Sequence, residues 1–203
     1  MSDLAIPLSP ELSFLPAKLV RQAYMIGLDS GEALFRRGDM PVAIHCLRAG
    51  EVRLVRYSRD GREVVLQRSR GGFFAEASID AAGYHCDAVA AVPSRVLAVP
   101  LVPFKAEMDA NADFRRAWGA HLAAELRHLR NRCERLALPT ARERLIHYID
   151  SEGQDGVLHC DQGLKSLAVE LGITHEALYR TVAKLEREGC VAREGRGLLR
   201  LLR

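Results

Sequence analysis

The sequence predicts an α+β chain in three parts. These are a β-roll of jelly-roll type over residues 1–110, a long helix over 111–138, and a winged helix-turn-helix over 139–203. Three observations carry this. Short apolar runs broken by Gly, Asp and Pro fill the stretch from Gly31 to Pro100. An uninterrupted helical period runs from Asn111 to Leu138, and two short helical stripes then flank Gly172. At 203 residues, 48% hydrophobic and 27% charged, the chain suits a globular protein with room for one large domain or two small ones. No run of about 18 apolar residues suggests a membrane span. The opening MSDLAIPLSPELSFLP lacks the basic region and apolar core of a signal peptide, so a cytoplasmic location is expected.

In the first part, EALFRRGD, AIHCLRAG, EVRLVRYSRDG, REVVLQRS, DAVAAV and RVLAVP read as short strands, a spacing that suggests a sandwich or barrel. Arg59-Asp60-Gly61 lies between the alternating runs Val52–Tyr57 and Glu63–Gln67 and predicts a tight hairpin. The five cysteines, Cys46, Cys86, Cys133, Cys160 and Cys190, are scattered without a CxxC pair. Neither a disulfide framework nor an iron–sulfur site is expected from them.

Along the long helix, Phe114, Trp118, Leu122, Leu126, Leu129, Cys133 and Leu136 recur at steps of three and four. The later steps approach the heptad of a coiled-coil seam. Trp118, Leu122, Leu126, Leu129, Cys133 and Leu136 are therefore expected to line a homodimer interface, flanked by Arg115, Arg116, Arg127, Arg130, Arg132 and Arg135. Pro139 ends the helix and Thr140 can cap the next, which makes Leu138–Thr140 the expected hinge.

Leu164, Leu167, Ala168 and Leu171 form the buried stripe of a short helix, and Gly172 supplies the left-handed turn. Thr174 can cap a second helix whose apolar face holds Ala177, Leu178, Val182 and Leu185. His175, Glu176, Tyr179 and Arg180 fall largely on its outer face, with Lys184 one turn further on. Such a face can reach base edges in a major groove, so double-stranded DNA is the expected partner. The closing CVAREGRGLLRLLR reads as a β-hairpin wing whose Arg193, Arg196, Arg200 and Arg203 could meet phosphates. Helical hairpins also occur in proteins that never touch DNA. Net charge does not decide the matter, since ten Lys/Arg balance ten Asp/Glu over residues 139–203.

The motifs GEALFRRGD (31–39), LRAGEVRLVRYSRDGREVVLQ (47–67), GGFFAEASI (71–79) and ITHEALYRTVAKLEREGCV (173–191) together resemble one family. It is the bacterial regulators typified by the cyclic-AMP receptor protein and the fumarate–nitrate regulator (CRP/FNR), and the resemblance spans about Phe14 to Arg203. It implies a cyclic-nucleotide-binding-like β-roll, a homodimer, transcription regulation and contact with RNA polymerase. Glu176 and Arg180 match the family's base-reading positions. Independently of the family, residues four apart on a helix share a face. Arg180 can donate to guanine O6 and N7, and Glu176 can accept from a cytosine amino group.

Cyclic-nucleotide-binding members carry Phe-Gly-Glu, a short helix and Arg-Ser. There the Glu contacts ribose, and the Arg and Ser hold the phosphate. Here Phe74, Ala75 and Glu76 stand at the first motif, and His85 and Cys86 at the second. Ala75 adds a β-carbon where glycine lets the backbone approach a phosphate, and no guanidinium stands at His85. Cyclic AMP is therefore not the expected effector. The effector pocket would hold Glu76, His85 and Cys86. The imidazole and thiol could serve a metal, haem or thiol-redox role, although neighbours on a strand face opposite sides. An unidentified small ligand and effector-independent action stay open, and no cofactor is assigned.

Two rival functions are weaker. A cupin-like enzyme would need a His-x-His motif, and no carboxylate pair or P-loop suggests catalysis. A protein-binding wing would give no salt-sensitive DNA affinity.

Overall fold

The computed structural model describes residues 12–160, 163–195 and 197–202. They form two compact units, Met1–Ala120 and His121–Arg203. The division falls inside the long helix.

Among its described residues, the first unit holds helix α1 (Ala17–Gln22) and eight strands. One antiparallel sheet places β1 (Tyr24–Leu28), β8 (Ser94–Pro100), β3 (Ala43–Ala49) and β6 (Gly72–Phe74) side by side. The other places β2 (Ala33–Phe35), β7 (Asp87–Ala90), β4 (Val52–Tyr57) and β5 (Glu63–Ser69). The expected jelly-roll is thus present, and so is the hairpin. Val55, Arg56 and Tyr57 pair with Val65, Val64 and Glu63, and Gly61 turns the chain at φ +78°. A left-handed φ suits glycine because it has no β-carbon to clash.

Successive side chains of a strand point to opposite faces, and here both faces of the first sheet are buried. On β3, Leu47 joins Val52, Leu54, Phe74 and Val96 in the roll's interior. Ile44 and Cys46 join Leu97 and Val99 in a second core. That core is closed by Leu19 of α1, by Phe104 of α2 (Leu101–Ala110), and by Phe114 and Trp118 at the start of α3 (Ala112–Ala137). Trp118 meets Phe104 and Phe73 edge-on at 5.0 and 5.2 Å.

In the second unit, Thr140 begins α4 (Ala141–Glu152) with a capping box. Its hydroxyl accepts from the Glu143 N–H, and the Glu143 carboxylate accepts from the Thr140 N–H. Next come β9 (Val157–His159), α5 (Gly163–Glu170), α6 (His175–Arg187), β10 (Val191–Glu194) and β11 (Leu198–Leu201). Strands β10, β11 and β9 form a three-stranded antiparallel sheet. The core is Leu145 and Ile149 of α4, Leu167 and Ala168 of α5, Leu178, Val182 and Leu185 of α6, and Leu199 of the wing. Among the described residues, no helix is long and apolar enough to cross a membrane.

Candidate nucleic-acid interface

The turn between α5 and α6 is built by backbone hydrogen bonds. The Ile173 N–H donates to Ala168 O at 3.0 Å, and the Gly172 N–H to Val169 O at 3.1 Å. This is the Schellman closure of a helix end, and it needs the φ of +63° that Gly172 adopts. The chain then re-enters a helix at Thr174, whose hydroxyl accepts from the Ala177 N–H at 3.1 Å. The cap fixes the entry direction of α6 and aims its outer face.

Leu178, Val182 and Leu185 bury one side of α6, while Glu176, Tyr179, Arg180 and Lys184 are exposed on the other. Among the described residues, Glu176 and Arg180 engage no protein partner, so a bound group would compete with no internal contact. His175 is half-buried and meets the Tyr179 ring edge-on at 4.4 Å. The Arg193 guanidinium lies 6.0 Å from the centre of that ring, on its way to Glu186 at 3.5 Å. Lys184 lies 3.9 Å from Glu188. Arg200 pairs with Glu194 at 2.7 Å across the wing. Arg196 and Arg203 lie outside the described residues.

Sequence reasoning missed the support behind this face. Arg142 pairs with Glu188 and donates to Cys190 Sγ at 3.4 Å. Arg144 spans the carbonyls of Leu136, Leu138, Leu171 and Gly172. Arg135, expected beside the seam, is instead 2% exposed, over the Tyr148 ring at 4.5 Å and 3.8 Å from Glu152.

On the expected dimer seam, Leu122, Leu126, Leu129 and Leu136 are 40–49% exposed, and Cys133 is exposed. Trp118 departs from them. At 2% exposure it belongs to its own chain's core. The same spacing of apolar residues serves an internal core at Phe114 and Trp118, then continues as an open stripe from Leu122.

The cassette expected to hold an effector runs from Phe74 to Cys86. Ala75 takes the left-handed conformation (φ +63°) and is itself buried. Glu76 begins a 3-10 turn, Glu76–Ser78. His85 is exposed, with Nδ1 3.5 Å from the Ser78 hydroxyl, and its carbonyl accepts from Arg56 Nε at 2.8 Å. Cys86 points the other way, 1% exposed, and burial pushes its thiol above the usual range. The two side chains are therefore not brought together. Among the described residues, no group of three His, Cys, Asp or Glu could hold a metal ion.

Aromatic rings occupy the roll's interior. Tyr84 stacks on Phe35 with centroids 3.5 Å apart, and His45 lies 5.7 Å from Phe74 and 5.6 Å from Phe35. The hollow beside Ala75, Ser78 and Tyr84 measures about 140 Å³ including its open mouth. The donor set of a cyclic-nucleotide cassette is incomplete, with Ala75 in place of its glycine and His85 in place of its arginine.

The chain joins a β-roll to a capped helix-turn-helix with a β-wing. A family profile for the cyclic nucleotide-binding domain matches residues 26–111. The nitrogen fixation regulation protein FixK of Bradyrhizobium diazoefficiens is 25% identical over 204 residues, covering 94% of this chain and 85% of its own. The structure of DNR from Pseudomonas aeruginosa is 27% identical with a TM-score of 0.51, covering 97% of this chain and 89% of that one. FixK2 from Bradyrhizobium japonicum shares the fold with a TM-score of 0.61 at 20% identity, over 89% of this chain and 93% of that one. The chain is thus similar over most of its length to regulators of this kind, and its residues 26–111 match the cyclic nucleotide-binding domain.

Proposed function

We propose that this regulator acts as a homodimer, paired along Leu122, Leu126, Leu129, Cys133 and Leu136, and that cyclic AMP is not its effector. The carrying observation is the pair Glu176 and Arg180 on the open face of a helix whose other face is buried. One chain presents one such helix. A two-fold dimer presents two, fit for successive major grooves about 34 Å apart. Arg180 donates to a guanine and Glu176 accepts from a cytosine amino group, while Thr174, His175, Tyr179 and Lys184 flank them. Arg193 of the wing approaches phosphates, and the bound dimer contacts RNA polymerase as its relatives' family implies.

The exposed leucine stripe supports the pairing, since open apolar residues at heptad spacing gain by meeting a second copy. The ring-filled roll and the separated His85 and Cys86 support a regulator without cyclic AMP and without a joint site on those two side chains. Arg180→Ala tests the reading. Each bidentate arginine–guanine contact carries about 1–3 kcal/mol of discrimination. The variant is expected to lose the preference for a selected duplex over a scrambled one in gel-shift titration, keeping weak, salt-sensitive binding. Undiminished preference in the variant would sink the assignment.

A further inference from the structure

Arg144 of α4 occupies an unusual position. Nε donates to the Leu138 carbonyl at 2.8 Å and Nη2 to the Leu136 carbonyl at 3.2 Å. Nη1 reaches the Leu171 carbonyl at 3.2 Å and the Gly172 carbonyl at 3.4 Å. The first two carbonyls end the long helix. The other two belong to the turn that launches α6. Carbonyls past a helix end have no intrahelical donor, so one guanidinium satisfies both ends at once.

The same two places also touch directly. The Leu136 Cδ2 stands 2.9 Å from where a β-carbon on residue 172 would lie, so the leucine packs over bare glycine backbone. One residue earlier, Arg135 grips α4 through Tyr148 and Glu152. The last turn of α3, the start of α4 and the α5–α6 turn are therefore fastened to one another from two sides. A hinge at Leu138–Thr140, the expectation from Pro139, would have to break these contacts to move.

We propose that Arg144 is a positioning residue that locks the reading helix to the last turn of the dimer seam, and so sets which half-site spacing the dimer accepts. The proposal rests on the dimeric reading above. Its logic is geometric. Leu136 lies on the seam and its carbonyl is held by the guanidinium that also holds the turn before α6. The seam thereby fixes where each reading helix points. Inserting two base pairs between half-sites rotates one half-site by about 70° relative to the other, which a locked pair of heads cannot follow. Arg144→Met keeps an apolar stem of similar length but makes none of the four contacts.

The test measures the affinity of the full-length protein for duplexes with two inverted TGA-type half-sites. Their centres lie about ten base pairs apart, or two base pairs further. A third duplex carries a base change at the pair assigned to Arg180. The wild-type protein is expected to lose at least about tenfold on insertion, and Arg144→Met no more than about threefold, because a loosened head can still engage both sites. Both proteins keep their preference for the intact half-site, which a merely unfolded head would lose. Arg144→Lys, whose ammonium cannot fork between two pairs of carbonyls, is expected to show the same flattening, and it carries the test if the methionine variant does not melt cooperatively. An equal insertion penalty in wild type and variants overturns the proposal while leaving the recognition-helix reading intact. Absence of any half-site preference in the wild type overturns that reading, and this proposal with it.

Discussion

The β-roll and the reading head treat their polar side chains in opposite ways. In the roll, the groups at the family's ligand positions are buried, turned aside or replaced. Cys86 and Ala75 lie in the core, His85 faces outward, and His45 is stacked among Phe35, Phe74 and Tyr84. In the reading head, the groups at the family's base-reading positions stand open, and Glu176 and Arg180 have no partner among the described residues. Burying an unpaired polar group is costly, so a site kept for a ligand is expected to stay open or to supply internal partners. The roll's interior is filled by packing, whereas α6 leaves a polar face open.

The largest effect expected from breaking this contrast lies on the long helix. Leu126→Asp with Leu129→Asp places charges on the exposed stripe of α3, where no core of the same chain needs them. Sedimentation should report monomer. DNA affinity should fall by at least about a hundredfold, because the second head no longer binds in tandem with the first. A stable dimer with both changes would place the interface elsewhere. The analogous change at Trp118 would instead unfold the roll, since that ring lies in its core.

A smaller effect marks the sealed interior. Burial pushes the His45 pKa from 6.5 down to about 4, and among the described residues its Nδ1 has no hydrogen-bond partner. Below pH 6.5 the unfolded chain takes up a proton that the folded roll refuses, so stability is complete above pH 6.5 and falls as pH drops toward 4. The full loss is about 3 kcal/mol from this one group. His45→Phe should flatten the denaturant midpoint of the roll over that window. An unchanged slope would show that the imidazole is hydrated or paired.

The smallest effect concerns how the head is aimed. Thr174→Ala removes the acceptor for the Ala177 N–H. It should cost about 1 kcal/mol in thermal unfolding while leaving the oligomeric state unchanged. Loss of dimer in that variant would mean that α6 takes part in pairing.

Much of this was legible in the sequence because it follows local rules. The Gly172 turn, the Thr174 and Thr140 caps and the Arg59–Gly61 hairpin each depend on a few adjacent residues. The open face of α6 followed from a helical period alone. Other features were not legible, for identifiable reasons. Apolar spacing marks a buried face without naming what buries it, so Trp118 and Leu122 looked alike although one faces its own core and the other is open. His85 and Cys86 are neighbours in sequence but opposite in direction. Arg144, Arg135 and Arg193 act on carbonyls, a ring and a carboxylate contributed by other elements, and such contacts leave no periodic trace. The effector cassette was legible as a departure from its family's pattern. That these rings pack together became visible only when Phe35, His45, Phe74 and Tyr84 were brought together from four segments.

The most direct test is the ratio of affinities for a selected duplex and a scrambled one, measured for the wild-type protein with and without saturating cyclic AMP. An effector-free roll and an open reading head predict the same high ratio in both conditions. A ratio near one that rises only when cyclic AMP is added would contradict it.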